Sequence, residues 1–500
     1  MAKSIELIEI GCLGLMINET KSPEWILRNI FKKNEFRASQ KKIIESLMNG
    51  KNVLSVMPTG MGKSMCFQIP ALIFDGLTIV ISPLIALMKD QVDRLKKTGI
   101  DAEFINSSLS YDQRESRYRG IKQGKYKLLY ISPERFRNST FLKSVSFRKI
   151  SMLVLDEAHC VSQWGNDFRP DYAKIFEYRA ILNNPVTAAF TATATTEVRN
   201  DILSKIGVCH DDVDVYNDGI CRDNLNLSVY QVYGELDKFE AITEYLKFRK
   251  GSAIVYFSLI SSIEKCCDYL INKNMNFIVY HGKMDKYRRQ DAQNKFIQSK
   301  DQIMIATNAF GMGVDKEDIR TIIHAEIPDS IESYYQEIGR AGRDGNSSEC
   351  RLYYDESDLA VQLQFLEWRN PDQKFLKRTL SLLQNSQAAL NSLSYQDIQE
   401  QLVFKNRSDH RLATGLSLLE RFGYIEGEPG NGTLRLKHNG DDSLFDLKRI
   451  DDKMKYDRIR LLGMLNYVKE KGCRKNYIHD YFSSEKIVCG NCDNCMNENL

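Results

Sequence analysis

The sequence predicts an α/β protein with two tandem parallel-sheet domains, followed by smaller C-terminal modules. Strand and helix signals alternate through residues 25–354 in two runs of similar length. Such alternation is typical of parallel βαβ units with right-handed crossovers. The 500 residues, 43% of them hydrophobic, suffice for about three folded domains.

Short apolar runs mark the expected strands, and charged helical segments separate them. The expected strands are residues 53–56, 77–82, 127–132, 150–155 and 186–190 in the first run, and 252–257, 276–280, 302–307 and 321–325 in the second. The division between the two runs is expected near Asp218 and Gly219.

A glycine-rich loop, MPTGMGKS at residues 57–64, follows the first strand and opens a helical pattern. Glycine lets backbone N–H groups close around phosphate oxygens, while Lys63 contacts the β and γ phosphates and Ser64 can ligate Mg²⁺. Met57 stands where the strict pattern has glycine. The order of strand, loop and helix nevertheless predicts ATP binding. The predicted ATP-binding residues of this loop are Thr59, Gly60, Met61, Gly62, Lys63 and Ser64.

An acidic pair follows the apolar strand at residues 150–155. Ligands of open parallel sheets bind at the carboxyl ends of strands, which is where Asp156 and Glu157 fall. Asp156 can hold Mg²⁺ while Glu157 orients and deprotonates a water. An ordinary acidic loop is the alternative interpretation of this short motif.

Two arginines follow the strands of the second run, in YYQEIGRAGRDG at residues 334–345. Arg340 and Arg343 share a helical face if the helix continues, or lie at its end if Gly342 stops it. Facing the phosphates of the first domain, one of them can neutralise charge in the transition state. The alternative is a solvated basic helix end.

Four of the twelve cysteines cluster near the C-terminus with the spacing Cys-x15-Cys-x-x-Cys-x-x-Cys. Four thiolates at this spacing can wrap a tetrahedral Zn²⁺ with bonds of about 2.3 Å. Free thiols or a redox pair are the alternatives. His479 lies within the long loop, and we expect it to be a bystander. The predicted zinc ligands are Cys473, Cys489, Cys492 and Cys495.

Residues 371–439 predict a winged helix inserted between the second α/β run and the cysteines. Ser394 and Asp397 form a capping-box pattern, and residues 424–437 indicate two strands about a turn. Five residues follow Cys495, so we expect this insertion, and not a later one, to contact duplex DNA. A packing insertion is the alternative. The basic residues predicted to reach DNA are Arg411, Arg435 and Lys437.

Together these blocks resemble the superfamily 2 helicases, and in detail the RecQ family with its DEAH-type motor. The resemblance covers residues 27–359 and 454–495. It is specific because SQWGNDFRPDY and CGNCDNC occur together. The other matching segments are FRASQ at 36–40, SPLIALMKDQV at 82–92, FTATAT at 190–195, YHGKM at 280–284 and ATNAFGMGVDKEDIR at 306–320.

The resemblance implies roles for individual residues. Gln40, with Arg37 nearby, is implied to read adenine, and Gly313 and Asp315 to couple the ATP state to DNA binding. Arg343 is implied to be the arginine finger. The implied catalytic set is Lys63, Asp156, Glu157, His159, Arg340 and Arg343.

The resemblance also implies that the aromatic-rich loop senses single-stranded DNA. Rings and a guanidinium can stack on bases at about 1–3 kcal/mol per base without reading the sequence. Asn166 stands where the family usually has histidine, and the alternative is that the rings only fill core space. The implied DNA-binding residues are Gln163, Trp164, Phe168, Arg169 and His281.

The predicted organisation combines two tandem RecA-like domains with a winged-helix-like insertion and a helical zinc-binding module. Residues 7–17 are apolar but short and contain Glu9, so we expect neither a signal peptide nor a membrane span. The predicted divisions are residues 1–23 (N-terminal extension), 24–218 (first RecA-like ATP-binding domain), 219–360 (second RecA-like domain), 361–440 (insertion) and 441–500 (zinc-binding module).

The predicted function is that of an ATP- and Mg²⁺-dependent DNA helicase, moving 3′ to 5′ and acting on single-stranded and forked duplex DNA in recombination or repair. A cytoplasmic location is expected, associated with the nucleoid if the source is bacterial, and the sequence does not identify any protein partner. The net charge of +3 argues neither for nor against binding of nucleic acid.

One alternative is an ATPase that remodels RNA, which should carry Asp in place of His159 and Ser in place of Thr191. Another is a DNA-binding protein with an idle motor, which intact Lys63 and Glu157 disfavour.

Overall fold

The structure is a computed structural model that describes residues 22–83, 85–106, 109–162, 172–208, 210–311, 316–402, 411–427, 429–430, 432–437, 440 and 442–497. Over these ranges the chain forms two α/β domains, a small segment with a two-stranded antiparallel sheet, and a C-terminal helical module. The α/β class predicted from the sequence is confirmed. In the same ranges, no helix combines the length and the apolar character needed to cross a membrane.

The sheet of the first domain has the strand order β3-β4-β2-β5-β6-β1-β7, and every recorded pairing is parallel. The interior strands are covered on both faces, which explains their continuous apolar sequences. The strands are β1 (Asn52–Val56), β2 (Leu77–Ile81), β3 (Ala102–Ile105), β4 (Leu128–Ile131), β5 (Ile150–Leu155), β6 (Val186–Thr191) and β7 (Val213–Asn217).

Helices flank this sheet, and polar side chains fix several of their first turns. Ser110 and Gln113 form a capping box at one helix, and the Thr195 hydroxyl accepts from the Val198 N–H at another. The helices are α1 (Pro23–Asn29), α2 (Gln40–Met48), α3 (Lys63–Ile73), α4 (Ile85–Lys97), α5 (Tyr111–Lys122), α6 (Ser139–Val145), α7 (Ile175–Ile181) and α8 (Thr196–Ile206).

The second domain has a sheet of order β10-β11-β9-β12-β13-β8, again with parallel pairings. Its strands are β8 (Leu225–Gln231), β9 (Ser252–Tyr256), β10 (Ile278–Tyr280), β11 (Ile303–Ala306), β12 (Ile319–His324) and β13 (Ser348–Tyr354). Its helices are α9 (Glu235–Phe248), α10 (Ile260–Asn272), α11 (Lys286–Gln298) and α12 (Ile331–Ile338).

The sequence analysis missed four strands, namely β3, β7, β8 and β13. Three of them are edge strands, and β13 lies next to an edge. Edge strands face solvent in part, so polar residues interrupt their apolar runs, as in VDVYN of β7 and LNLSVYQ of β8. A search for continuous apolar runs therefore does not detect them.

The segment after the second domain begins with α13 (Ser357–Arg369), which runs through the division predicted at residue 360, and α14 (Gln373–Asn385). The predicted capping box is present, because the Asp397 N–H donates to Ser394 Oγ over 3.2 Å and the Ser394 N–H to Asp397 Oδ2 over 2.7 Å. The elements that follow are α15 (Tyr395–Leu402), α16 (Arg411–Arg421), β14 (Ile425–Glu426) and β15 (Arg435–Leu436). This order agrees with the predicted winged-helix-like insertion.

The C-terminal module consists of α17 (Leu447–Lys469), α18 (Arg474–Tyr481) and α19 (Asp493–Asn497). It packs against the second domain through buried polar contacts. The Arg460 guanidinium of α17 contacts Glu332 Oε1 over 3.3 Å and Ser330 Oγ over 2.9 Å. At the edge strand β8, the Val229 N–H donates to Asp493 Oδ2 over 2.9 Å. The module therefore covers part of the outer edge of the second sheet.

Replacing Arg460 with alanine should lower the free energy of unfolding by about 3 kcal/mol, because it leaves the buried Glu332 carboxylate without its guanidinium. Arg458→Ala is the matched control, since Arg458 is exposed on the same helix and should change stability by less than about 0.5 kcal/mol. Urea unfolding of both variants measures the difference. Equal midpoints for the two variants would contradict a stabilising role for this contact.

Candidate active site

A cleft of about 1300 Å³ opens between the two α/β domains. Its wall contains the phosphate-loop residues from one side and the two predicted arginines from the other, and residues of α16 also contribute to it. Met61 is not on the wall but packs against the core of the first domain. The predicted residues that line the cleft are Arg37, Gln40, Thr59, Gly60, Gly62, Lys63, Ser64, Asp156, Glu157, His159, Arg340 and Arg343.

The phosphate loop connects β1 to the amino end of α3, where backbone N–H groups have no helical partners. Gly60 and Gly62 have φ of 87° and 81°, a left-handed conformation that favours glycine. A Cβ on Gly62 would lie 2.6 Å from Gln40 Nε2, so this approach requires glycine. Thr59 Oγ1 is buried and has no hydrogen-bond partner within the described part of the chain. The loop thus offers backbone and side-chain donors suited to phosphate.

Gln40 is buried beside this loop and is bonded at both ends of its amide. Its Nε2 donates to the carbonyl oxygens of Met61 and Gly62 over 2.9 and 3.1 Å, and its Oε1 accepts from the Arg37 N–H over 2.8 Å. The Arg37 guanidinium donates to the Gly60 carbonyl over 3.4 Å. In this arrangement the Gln40 amide holds the phosphate loop. To recognise adenine, it would have to replace these hydrogen bonds with bonds to the base.

The acidic pair lies directly after β5, as predicted. Burial, together with the neighbouring Glu157 carboxylate, raises the pKa of Asp156 to about 7, while Lys63 acts in the opposite direction. Two adjacent carboxylates at a half-buried strand end repel each other, and a bound cation would relieve that repulsion. With Ser64 on the same wall, the donor set of carboxylate and hydroxyl oxygens fits Mg²⁺.

Glu157 adopts a left-handed backbone with φ of 51°, which is unusual for a non-glycine residue. Its Oε2 is buried, lies 3.4 Å from His159 Nδ1, and has no hydrogen-bond partner among the residues that the structure describes. A carboxylate oxygen in this state is available to accept a proton from a water in the cleft.

His159 connects the acidic strand end to the end of β6. Its Nδ1 lies 3.1 Å from Thr191 Oγ1, which itself donates to the Thr193 carbonyl over 3.0 Å. The contact joins two segments of the first domain that both follow sheet strands. A shift of the acidic strand end can therefore reach the residues after β6 through a short chain of hydrogen bonds.

The two arginines lie in a turn after α12, which ends at Ile338, well before Gly342. Arg340 Nη1 donates to the Gly311 carbonyl within the second domain. Arg343 instead approaches the first domain, because a Cβ on Gly60 would lie 3.3 Å from Arg343 Cγ. Of the pair, Arg343 is thus the arginine beside the phosphate loop.

The predicted DNA-sensing loop is outside the described residues, which exclude Gln163, Trp164, Asn166, Phe168 and Arg169. Gly313 and Asp315 are outside them as well. His281 follows β10 and does not line the cleft, and its Nδ1 is buried without a hydrogen-bond partner in the described chain.

The basic residues predicted to contact duplex DNA differ in their surroundings. The Arg411 guanidinium lies 5.2 Å from the centre of the Phe375 ring, and Lys437 Nζ is 2.7 Å from Glu426 Oε2. Arg435 is exposed on β15, while Leu434 beside it is buried, as the alternating pattern predicted. Contact between these residues and DNA stays a prediction.

The four predicted zinc ligands come together in the C-terminal module. The sulfur atoms of Cys473, Cys489, Cys492 and Cys495 all lie within 4.8 Å of one another. Four convergent thiolates are a typical donor set for tetrahedral Zn²⁺, so the site fits this metal. His479 does not belong to the cluster.

Two further contacts at the cleft were not predicted from the sequence. Arg222 Nη1 donates to the Thr59 carbonyl across the domain boundary, over 3.2 Å. Asp218 accepts hydrogen bonds from both the hydroxyl and the N–H of Ser39, next to Gln40. Neither contact has a local sequence signal, because the partners are distant in the chain and one of them is a backbone carbonyl.

Comparison with known proteins gives three family matches in chain order. Residues 37–202 match the DEAD/DEAH box helicase family, residues 237–345 match the helicase conserved C-terminal domain, and residues 441–496 match the RecQ zinc-binding family.

Curated relatives agree with these matches. The ATP-dependent DNA helicase RecQ of Bacillus subtilis (strain 168) is 43% identical over 352 residues, 70% of this chain and 59% of that protein. The chain therefore spans about three fifths of that relative's length. The probable ATP-dependent DNA helicase RecS of the same organism is 35% identical over 363 residues, 72% of each chain.

Among solved structures, S. cerevisiae Dbp5 bound to RNA and ADP BeF3 shares the fold, with a TM-score of 0.55 and 17% identity over 70% of this chain and 91% of that one. The sequence identity to the curated relatives and the helicase and zinc-binding matches show that the chain belongs to the RecQ family of ATP-dependent DNA helicases.

Proposed function

We propose that the protein is an ATP- and Mg²⁺-dependent DNA helicase that moves 3′ to 5′ along single-stranded DNA and opens forked duplexes during recombination or repair. The observation that carries this proposal is the composite cleft, in which Arg343 of one domain lies beside Gly60 of the other. A cytoplasmic, nucleoid-associated location in a bacterium is part of the same proposal.

In the proposed reaction, the phosphate loop and Lys63 bind and orient the ATP phosphates. Ser64 and Asp156 would hold Mg²⁺, which when bound supplies positive charge at the phosphates. Glu157 accepts a proton from the attacking water, for which its unbonded Oε2 is suited. Arg343 neutralises negative charge that develops on the transferred phosphoryl group.

Because the two halves of the site belong to different domains, ATP binding favours closure of the cleft and product release favours opening. The hydrogen bond between His159 and Thr191 gives the nucleotide a route to the residues after β6. Repeated closure and opening, with alternating grip on one DNA strand, is the proposed basis of movement. The aromatic-rich loop is proposed to report that the strand is bound.

The proposal is tested with 3′-tailed, 5′-tailed, forked and blunt DNA duplexes and matched RNA duplexes, in the presence of ATP and Mg²⁺. The protein should unwind the 3′-tailed and forked DNA duplexes but not the 5′-tailed or blunt DNA duplexes or the RNA duplexes.

Glu157→Gln should bind ATP within about twofold of the parental affinity yet hydrolyse it about a hundredfold more slowly, because the general base is lost.

Lys63→Ala is the companion variant, and it should lose ATP binding as well as turnover because its charge contacts the phosphates. Parental hydrolysis by Glu157→Gln would refute the assigned base. Equal unwinding of RNA and DNA duplexes would instead favour an RNA-remodelling ATPase.

Replacing Trp164 or Phe168 with alanine should lower the DNA-stimulated ATPase rate by about tenfold and leave the DNA-free rate unchanged, because base stacking is lost while the phosphate site is intact. Trp25→Ala, in α1, is the matched control and should change neither rate. Parallel loss of both rates in the loop variants would mean that the rings only support the fold.

The parental protein should contain about one equivalent of zinc, and Cys492→Ser should lose zinc and melt at a lower temperature, since metal binding is coupled to folding of the module. Cys266→Ser, which changes a buried thiol outside the cluster, should keep its zinc. Elemental analysis measures the metal. Freshly purified, reduced parental protein without zinc would disprove the site.

A further inference from the structure

We propose that Arg222 is a positioning residue for ATP hydrolysis, through which the zinc-binding module sets the spacing between the phosphate loop and the turn that carries Arg343. The inference rests on the proposed ATPase function and deepens it. It concerns three parts of the chain that meet at one guanidinium group.

The Arg222 guanidinium donates to four backbone carbonyl groups from two domains. Its Nη1 contacts the carbonyl oxygens of Thr59 and Gly339 over 3.2 and 3.4 Å. Its Nη2 contacts those of Ala341 and Gly342 over 2.7 and 3.0 Å. A planar guanidinium can bridge several acceptors in fixed directions, whereas a lysine ammonium is a single point of charge.

Two of these four carbonyls immediately precede Gly60 and Arg343, the residues whose separation matters. Thr59 is followed by Gly60, and Gly342 is followed by Arg343, and Arg343 lies against Gly60. The turn is held further by Asn224 Nδ2, which donates to the carbonyls of Gly342 and Asn346 over 2.8 and 2.9 Å. Arg222 therefore links both sides of the cleft one residue away from the contact between Arg343 and the phosphate loop.

The zinc-binding module supports the main chain of Arg222 itself. Lys475 Nζ donates to the carbonyl oxygens of Arg222 and Asp223 over 3.2 and 3.1 Å. Asn491 Nδ2 donates to the Asp223 carbonyl over 2.7 Å and to Asn226 Oδ1 over 2.9 Å. Lys475 is buried, so its ammonium group depends on these carbonyls for hydrogen bonding.

Both supporting residues lie close to zinc ligands in the sequence. Lys475 follows Cys473 by two residues, and Asn491 stands between Cys489 and Cys492. Zinc held by the four cysteines would thus fix the local backbone from which these side chains reach the segment around Arg222. A change in the module is transmitted to the cleft by hydrogen bonds between backbone and side chains, without a contact between zinc ligands and nucleotide.

The test compares binding of ADP with binding of ADP plus aluminium fluoride, a mimic of the transferred phosphoryl group, by calorimetry on the full chain with Mg²⁺. Arg222→Ala should weaken binding of the mimic by about tenfold and that of ADP by no more than about twofold. In steady state, kcat with DNA should fall by about tenfold with KM within about twofold. The affinity for the mimic and the kcat of Arg222→Lys should lie between those of the alanine variant and of the parental protein.

Arg249→Ala is the matched control, because Arg249 also donates to a backbone carbonyl, that of Leu246, but its recorded hydrogen bonds stay within the second domain. It should leave all four quantities unchanged. Lys475→Met should weaken binding of the mimic by about threefold in the parental background and have no added effect with Arg222→Ala, because both act through one contact. Zinc content, measured in every variant, should stay at the parental value.

Unchanged affinity of Arg222→Ala for the mimic would overturn the inference. Equal weakening of ADP and of the mimic would also overturn it, because Arg222 would then only maintain the phosphate loop. Additive effects of Lys475→Met and Arg222→Ala would remove the zinc-binding module from the mechanism. A parental protein that binds neither ADP nor the mimic would refute the proposed function itself, and the inference would fall with it.

Discussion

The proposed nucleotide site is divided between two domains, so its chemistry would depend on how closely two loops can approach each other. The phosphate loop arises at the end of β1, and the turn with Arg343 follows α12 of the other domain. They meet at Gly60, where a Cβ would lie 3.3 Å from Arg343 Cγ. The absence of a side chain at this position lets an arginine stem lie against the loop that receives the phosphates.

Electrostatics give the cleft its preference for a charged ligand. Asp156 and Glu157 lie side by side at a half-buried strand end, and desolvation together with the second carboxylate raises the pKa of Asp156 to about 7. Lys63 offsets only part of this repulsion. Binding of Mg²⁺ and ATP together would add a cation for the carboxylates and an anion for Lys63 and Arg343. The charges of the two ligands would then offset those of the carboxylates, Lys63 and Arg343 within one cleft.

The sequence predicted sites formed by residues that are close together in the chain, but not contacts between residues that are far apart in it. Lys63, Asp156 and the cysteine cluster follow strands or short spacings that the sequence displays, and the structure places each where it was expected. The edge strand β8 was missed because solvent faces interrupt its apolar pattern. Arg222 was missed because its acceptors are carbonyl oxygens, which every residue has. The hydrogen bonds from Gln40 to the phosphate loop were likewise not predictable, because their acceptors are backbone carbonyl groups that a sequence motif does not mark.

The zinc-binding module covers part of β8, the outer strand of the second sheet, through the bond from Val229 to Asp493. An uncovered edge strand presents unpaired backbone groups that can join the sheet of another molecule. Folding of the module around the four cysteines therefore has a second consequence: it covers backbone of β8 that could otherwise pair with the sheet of another molecule. Oxidation of the cysteines that unfolds the module should uncover this strand, so lower solubility is expected to accompany the loss of zinc binding.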